Sequence, residues 1–190
     1  MNIGVISTLF PSSRMPIAGI FVKDELDALA SRVSLRLLAP KPSSFWFKDF
    51  GSTLPDTAYP VKRPLFPAFP RFFMQHLSPV SLAIILRHHA PFLDGCDLIH
   101  VHNGFPEAVA AAHLYAGKRP LVVTVHGSDV NNFAQRPALQ PQIVAALNAA
   151  TLVICVSSGL KKSLERLGVN SEMTVIPNGI DTSILDCREK

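Results

Sequence analysis

The sequence predicts a doubly wound α/β domain, a parallel sheet with helices on both faces. Three features carry that reading. Short apolar runs recur along the chain, each long enough for one strand buried on both sides. Between them lie segments with apolar residues at helical spacing. The junctions hold Gly, Pro, Ser and Asn, the residues that turn strands and cap helices. At 190 residues the chain is of one-domain size, so one compact core is expected. A net charge of only +4, with 17% charged residues, excludes a disordered chain.

Each element follows from its own residues. Residues 3–7 (IGVIS) read as the first strand, and Pro11 and Pro16 break the loop after it. From Gly19 a helix begins, with Phe21, Val22, Leu26, Leu29 and Ala30 forming an apolar stripe and Lys23, Asp24 and Asp27 lying off it. Residues 33–39 (VSLRLLA) form the next strand and stop at Pro40. Residues 40–70 carry seven Pro (40, 42, 55, 60, 64, 67 and 70), which excludes a central strand or long helix and marks an irregular insertion. Ser78-Pro79 reads as N-cap and first turn of a helix over VSLAIILRHHA.

The β/α rhythm then returns. Strands are expected at 97–102, 121–126, 152–156 and 173–176, about six in all. Helices are expected at 106–116, 137–150 and 158–167, with Gly117 and Gly168 as stops. The alternation defines a Rossmann-like sheet, in which ligands bind outside the carboxyl ends of the strands. That rule directs attention to 7–19, 102–104, 126–129, 157–158 and 177–181.

These strand ends are polar or glycine-bearing. His100 reads as a hydrogen-bonded core histidine, whereas His102, at the strand exit, fits either a packed histidine or a ligand contact. Two residues along a strand separate the two Cα atoms by about 7 Å, which argues against one shared metal ion. His126 tips a buried strand, and Gly127 after it lets the backbone turn and a ligand approach. Asp129 is suited to chemistry, to bracing its loop or to capping a helix. Ser157 is suited to capping a helix or to offering free N–H groups to a phosphate or sugar hydroxyl, and Gly19 has the same two readings. No GxGxxG, GxxxxGK[ST] or HExxH pattern occurs.

Further expectations concern compartment and surfaces. Cys96, Cys155 and Cys187 are odd in number and show no CxxC spacing, which suits a reducing compartment. No apolar stretch reaches the ~18 residues of a membrane span, and the first residues lack a secretory pattern, so a cytoplasmic protein is expected. Residues 40–93 mix basic residues with aromatics, among them Phe45, Trp46, Phe47, Phe50, Tyr59, Phe66, Phe72 and Phe92. That mixture fits either a solvated basic face over buried Phe anchors or contact with an anionic membrane surface. No nucleic-acid-binding pattern is present.

Taken in order, FP…GIFVKDELDALA, DLIHVHNGFPEAVAAA, LVVTVHGSDV, LVICVSSGLKKSLERLGV and VIPNGID resemble the N-terminal half of retaining GT-B-fold glycosyltransferases of family 4, glycosyl transferase group 1. The resemblance spans residues 10–181. It implies an acceptor-binding domain over 1–181, with 182–190 starting a linker to a donor-binding domain outside this chain. It further implies transfer of a sugar from a nucleotide-sugar to a glycan or lipid-linked acceptor with retention, no cofactor beyond the nucleotide-sugar, and no activity without the donor domain. A non-catalytic binding or regulatory module of the same fold is the alternative. The candidate catalytic residues are His126, which would touch the transferred sugar, and Asp129. The candidate substrate-binding residues are Gly19, His102, Asn103, Gly104, Gly127, Ser157, Asn178 and Gly179. The resemblance also implies that no metal is required, and no metal ligand is assigned. The expected location is the cytoplasm, peripheral at the inner face of a membrane.

Overall fold

A computed structural model of the chain describes residues 1–43, 51–68 and 74–179. Seven strands form a parallel sheet: β1 (Asn2–Ile6), β2 (Ser34–Leu38), β4 (Val61–Lys62), β6 (Leu98–His102), β7 (Leu121–Val125), β8 (Leu152–Cys155) and β9 (Met173–Val175). Their order is β4-β2-β1-β6-β7-β8-β9. A second, two-stranded parallel pair joins β3 (Lys41–Pro42) to β5 (Leu65–Phe66). The long helices are α1 (Ile20–Ala30), α2 (Ser78–His88), α3 (Val109–Tyr115), α4 (Gln140–Asn148) and α5 (Ser158–Arg166). The chain thus has the Rossmann-like architecture its sequence implies. One strand more than expected enters the sheet. It is β4, drawn from the proline-rich segment, and it takes an edge where lost backbone donors cost least.

Alternation along the strands sends side chains to two unlike faces. On the first, Ile99, Val101, Leu121, Val123, Val125 and Val153 pack beneath α2, α3, α4 and α5 through Leu82, Leu86, Ile143, Leu147, Leu160 and Leu164. On the second, Ile3, Val5, Leu35 and Leu37 pack beneath α1 through Val22 and Leu26. The same face carries His100, His102 and Thr124 further along the sheet, all buried. Three polar side chains therefore stand where neighbouring strands place Ile and Val.

Several boundaries depart from expectation. Ser78 is the first residue of α2 rather than its cap, with Leu77 in the cap position and Pro79 in the first turn. The helix expected from residue 106 becomes regular only at Val109. Gly104–Ala108 forms a wider turn with Phe105 extended, after Asn103 at φ 78°. A second wide turn, Asp129–Phe133, follows β7. Both turns lie at the carboxyl rim of the sheet. Of the basic–aromatic segment, Tyr59 and Phe66 are buried and Lys62 lies 4.8 Å over the half-buried Phe92 ring. Arg36 and Arg63 donate to backbone carbonyls of Phe92, Asp94, Phe10 and Pro11. These described parts match the buried-anchor reading. Phe45, Trp46, Phe47, Phe50, Phe72 and Phe73, and the linker over 182–190, lie outside the described residues.

Gly19 is required by backbone geometry. It sits at φ 72°, and a Cβ there would stand 2.5 Å from the Leu9 carbonyl carbon and oxygen. Gly19→Ala is therefore expected to cost roughly 2 kcal/mol or more in urea unfolding, from left-handed strain plus overpacking. Gly179→Ala, which meets open space, should leave the unfolding midpoint unchanged.

Candidate functional site

The exits of β1, β6 and β7 adjoin one another, and the residues they release build the site. Asp129 organises it. Its carboxylate is 1% exposed and accepts from four backbone N–H groups: Gly127 (2.8 Å), Gly104 (2.9 Å), Val130 (3.1 Å) and His126 (3.4 Å). Gly104 belongs to the β6 exit and the other three to the β7 exit, so one carboxylate ties two loops together. The expected catalytic role for Asp129 gives way to a positioning role, because both its oxygens are spent on backbone. Gly104 is likewise buried against Asp129 rather than open to substrate. Gly127 at φ 119° supplies the turn that lets Asp129 reach back to its own loop.

His126 is half-buried. Its Nε2 lies 3.1 Å from Nδ1 of His102, and its ring lies 4.5 Å from that of Phe21 in α1. Phe21 also lines a cavity of about 860 Å³ with His100, Thr124, Asn178 and Gly179. The first turn of α1, beside Gly19, the tip of β7 and the exposed Asn178-Gly179 segment therefore share one side of the rim. His102 is fully buried. It backs His126. His100, as expected, is a buried hydrogen-bonded histidine, with Nε2 2.7 Å from Thr124 Oγ1. Burial pushes the His100 imidazole down to about 4, and holds His102 well below the usual histidine range. It lowers His126 as well, partly countered by Asp129. All three rings are thus neutral near pH 7. The distance estimate for His100 and His102 needs correction, since their rings lean together to 4.5 Å between centroids. Ser157 is an exposed N-cap whose Oγ accepts from the Leu160 N–H at 3.3 Å.

A second cavity, of about 650 Å³, opens beside the first turns after β1, β6 and β7. Thr8, Asn103, Glu107, Ser128, Asn131 and Arg136 give it polar walls, and Phe105 and Phe133 an aromatic floor with ring centroids 5.3 Å apart. Asn103 Oδ1 is buried there without a partner among the described residues. Glu107 is the residue the sequence reading missed. It is 1% exposed, and its Oε1 accepts from Thr8 N (3.2 Å), Thr8 Oγ1 and Asn103 Nδ2 (3.3 Å). Its Oε2 is buried with no partner among the described residues. A signal existed, because Glu107 lies three and four residues before the buried Ala110 and Ala111, on the inward stripe of a helix.

Burial pushes the Glu107 carboxyl up to about 7 against the pull of its hydrogen bonds. The folded state then holds a proton that the unfolded chain releases near 4.5, so this group's contribution to stability falls as pH rises between those values. The full difference is of order 3 kcal/mol. Glu107→Gln should accordingly gain stability over the wild type as pH moves from about 5 to about 8, measured by urea unfolding. The buried histidines are common to both proteins and cancel. Asp129→Ala leaves four N–H groups without their acceptor and should cost roughly 3 kcal/mol or more, with Asp129→Asn intermediate; equal midpoints for Ala and wild type would show that the two loops do not depend on this carboxylate.

With this geometry in hand, comparison with known proteins is specific. Residues 18–184 match the family described as Glycosyltransferase Family 4. A relative in Bacillus subtilis (strain 168), assigned to teichuronic acid biosynthesis as the glycosyltransferase TuaC, is 26% identical over 96% of this chain. The chain spans about half of that relative, 51% of its length. Among solved structures, sucrose-phosphate synthase from Thermosynechococcus elongatus aligns with TM-score 0.66 at 17% identity, over 97% of this chain and 49% of that one. Anabaena Alr3699/HepE, in complex with UDP and glucose, aligns with TM-score 0.58 at 21% identity, over 97% and 46%. These structural likenesses establish the fold. A rim of strand exits organised around Asp129 and His126, on a Rossmann-like sheet, is thus joined to a family match across most of the sequence: the chain belongs to Glycosyltransferase Family 4 and has the fold of a GT-B glycosyltransferase N-terminal domain.

Proposed function

We propose that this chain is the acceptor-side half of a retaining glycosyltransferase, which moves a sugar from a nucleotide-sugar to a glycan or lipid-linked acceptor. The observation that supports it most is the 650 Å³ cavity at the rim, lined by Ser128 two residues beyond His126. Its amide, hydroxyl and guanidinium walls over a Phe floor suit a hydroxyl-rich ligand, which needs directional hydrogen bonds and a flat apolar contact. The acceptor would lie in this cavity. His126 would orient the transferred sugar as a neutral imidazole, its Nε2 held by His102 and its Nδ1 left without a partner among the described residues. The exposed Asn178-Gly179 marks the approach to the donor-binding half. Transfer breaks the bond from the anomeric carbon to the diphosphate and forms one to the acceptor oxygen on the same face, with the acceptor's proton passing to the departing diphosphate; holding both substrates in that arrangement takes groups from both halves. No cofactor beyond the nucleotide-sugar enters this reading. A lipid-linked acceptor would place the enzyme at the inner face of a membrane.

Two measurements test the proposal. Screening a longer chain that includes the donor-binding half against nucleotide-sugars and lipid-linked acceptors should give turnover, whereas the 190-residue chain alone should give none. Sugar transfer by the short chain would overturn the half-site reading. In the active protein, His126→Ala should lower kcat about 100-fold with a much smaller change in acceptor KM; an unchanged kcat would remove His126 from the reaction.

A further inference from the structure

Behind His126, on the sheet face beneath α1, His100 and His102 are joined by Glu25, a third side chain of a type that binds metals. Glu25 comes from the second turn of α1, and His100 and His102 come from β6. One ligand-type atom of each lies within 4.8 Å of the other two.

The hydrogen bonding around the cluster separates it from a chance meeting of polar residues. Each imidazole has one nitrogen engaged. His100 Nε2 is held by Thr124 Oγ1 at 2.7 Å, and His102 Nδ1 by His126 Nε2 at 3.1 Å. That is how metal-binding histidines are commonly arranged, one nitrogen fixed by an outer partner and the other free to ligate. The free nitrogen of His102, Nε2, is fully buried and has no partner among the described residues. A buried polar atom without a partner calls for an explanation. Glu25 brings a half-buried carboxylate to the same place, with no ion pair or hydrogen bond among the described residues competing for it.

We propose that Glu25, His100 and His102 form a site for one divalent transition-metal ion of the zinc class, seated between α1 and β6. Two imidazoles and a carboxylate are a ligand set that zinc accepts, with a fourth position filled by water. The 860 Å³ cavity lined by Glu25 and His100 supplies both the water and the way in. Ligand atoms around zinc sit about 2.0–2.2 Å from the ion, closer together than the 4.8 Å bound. Binding therefore draws all three side chains inward, the Glu25 carboxylate by its side-chain torsions and the two imidazoles by small rotations about the hydrogen bonds that hold them.

The ion has a consequence for the rim. With His102 Nε2 bound to a cation, the His102 proton must sit on Nδ1 and be donated to His126 Nε2. His126 then carries its own proton on Nδ1. The metal would thus choose the tautomer of His126 without touching substrate, and in this respect alone the inference rests on the proposed function.

The test uses the 190-residue chain stripped with a chelator and titrated with Co²⁺ and Zn²⁺ alone. Expected results are one equivalent bound, visible Co²⁺ absorption, and a Tm raised by roughly 5 °C at saturating Zn²⁺. Glu25→Gln, close in shape, should weaken binding by more than about tenfold, since even outer-shell changes cost that much. His102→Asn should do the same. A surface control is available in the edge-to-face pair His88 and His89, whose double substitution to Gln should leave binding unchanged. No binding, or binding lost in the His88/His89 variant and retained in Glu25→Gln, overturns the site. Neither result depends on sugar transfer, so failure of the metal site and failure of the transferase reading are separately visible.

Discussion

Asp129 accepts hydrogen bonds from four backbone N–H groups on two strand exits, and the rim of the sheet depends on that arrangement. Strand exits in a parallel sheet leave N–H groups that the ladder no longer satisfies. In most places water takes them. Here the loops after β6 and β7 are folded inward, so the donors are buried and must find an acceptor within the protein. One carboxylate at the centre satisfies all four and fixes the loops against each other. The neighbouring positive-φ residues, Asn103 and Gly127, follow from the same demand, because each turns the backbone so that its N–H or that of its neighbour points inward.

The buried polar line behind the rim has a different logic. His100, His102 and Thr124 occupy a sheet face that is apolar beneath the adjacent half of the domain. Burying an imidazole is tolerable only when it is neutral and hydrogen-bonded. Burial lowers the tendency of all three rings to take up a proton, and contacts with Thr124 and between the rings engage three nitrogens, one on each ring. The arrangement makes His126 a positioned group rather than a free surface histidine. The stiffness comes from the strands, since β6 and β7 are paired in register through His100–Val122 and His102–Thr124.

Glu107 illustrates the opposite balance on the cavity side. Three donors converge on one oxygen, yet desolvation outweighs them and the carboxyl is held up near 7. A carboxyl of this kind can stand protonated or ionised within a small pH range, and it does so in the wall of the 650 Å³ cavity. The proline-rich segment reaches the same cavity through Pro42, Phe66 and Ala68. An irregular segment with few ladder constraints thus supplies part of the wall, while the turns after β1, β6 and β7 supply Thr8, Asn103 and Ser128.

What was legible in the chain alone was the order of elements. Period-two apolar runs and period-3.6 stripes are local, so the strands of IGVIS, LVVTVH and LVICV and the helix of SGLKKSLER are visible within a few residues of their true ends. The polar strand tips were legible too, because a parallel sheet must gather them on one rim. The partners of those tips were not. Whether Asp129 meets substrate or backbone, whether His102 faces outward or backs His126, and whether Glu107 is solvated or sealed depend on residues 24 to 99 positions away in sequence. No local period carries that information. Only the packing of β1, β6 and β7 side by side brings those donors and acceptors within hydrogen-bonding distance, and burial then sets their charge.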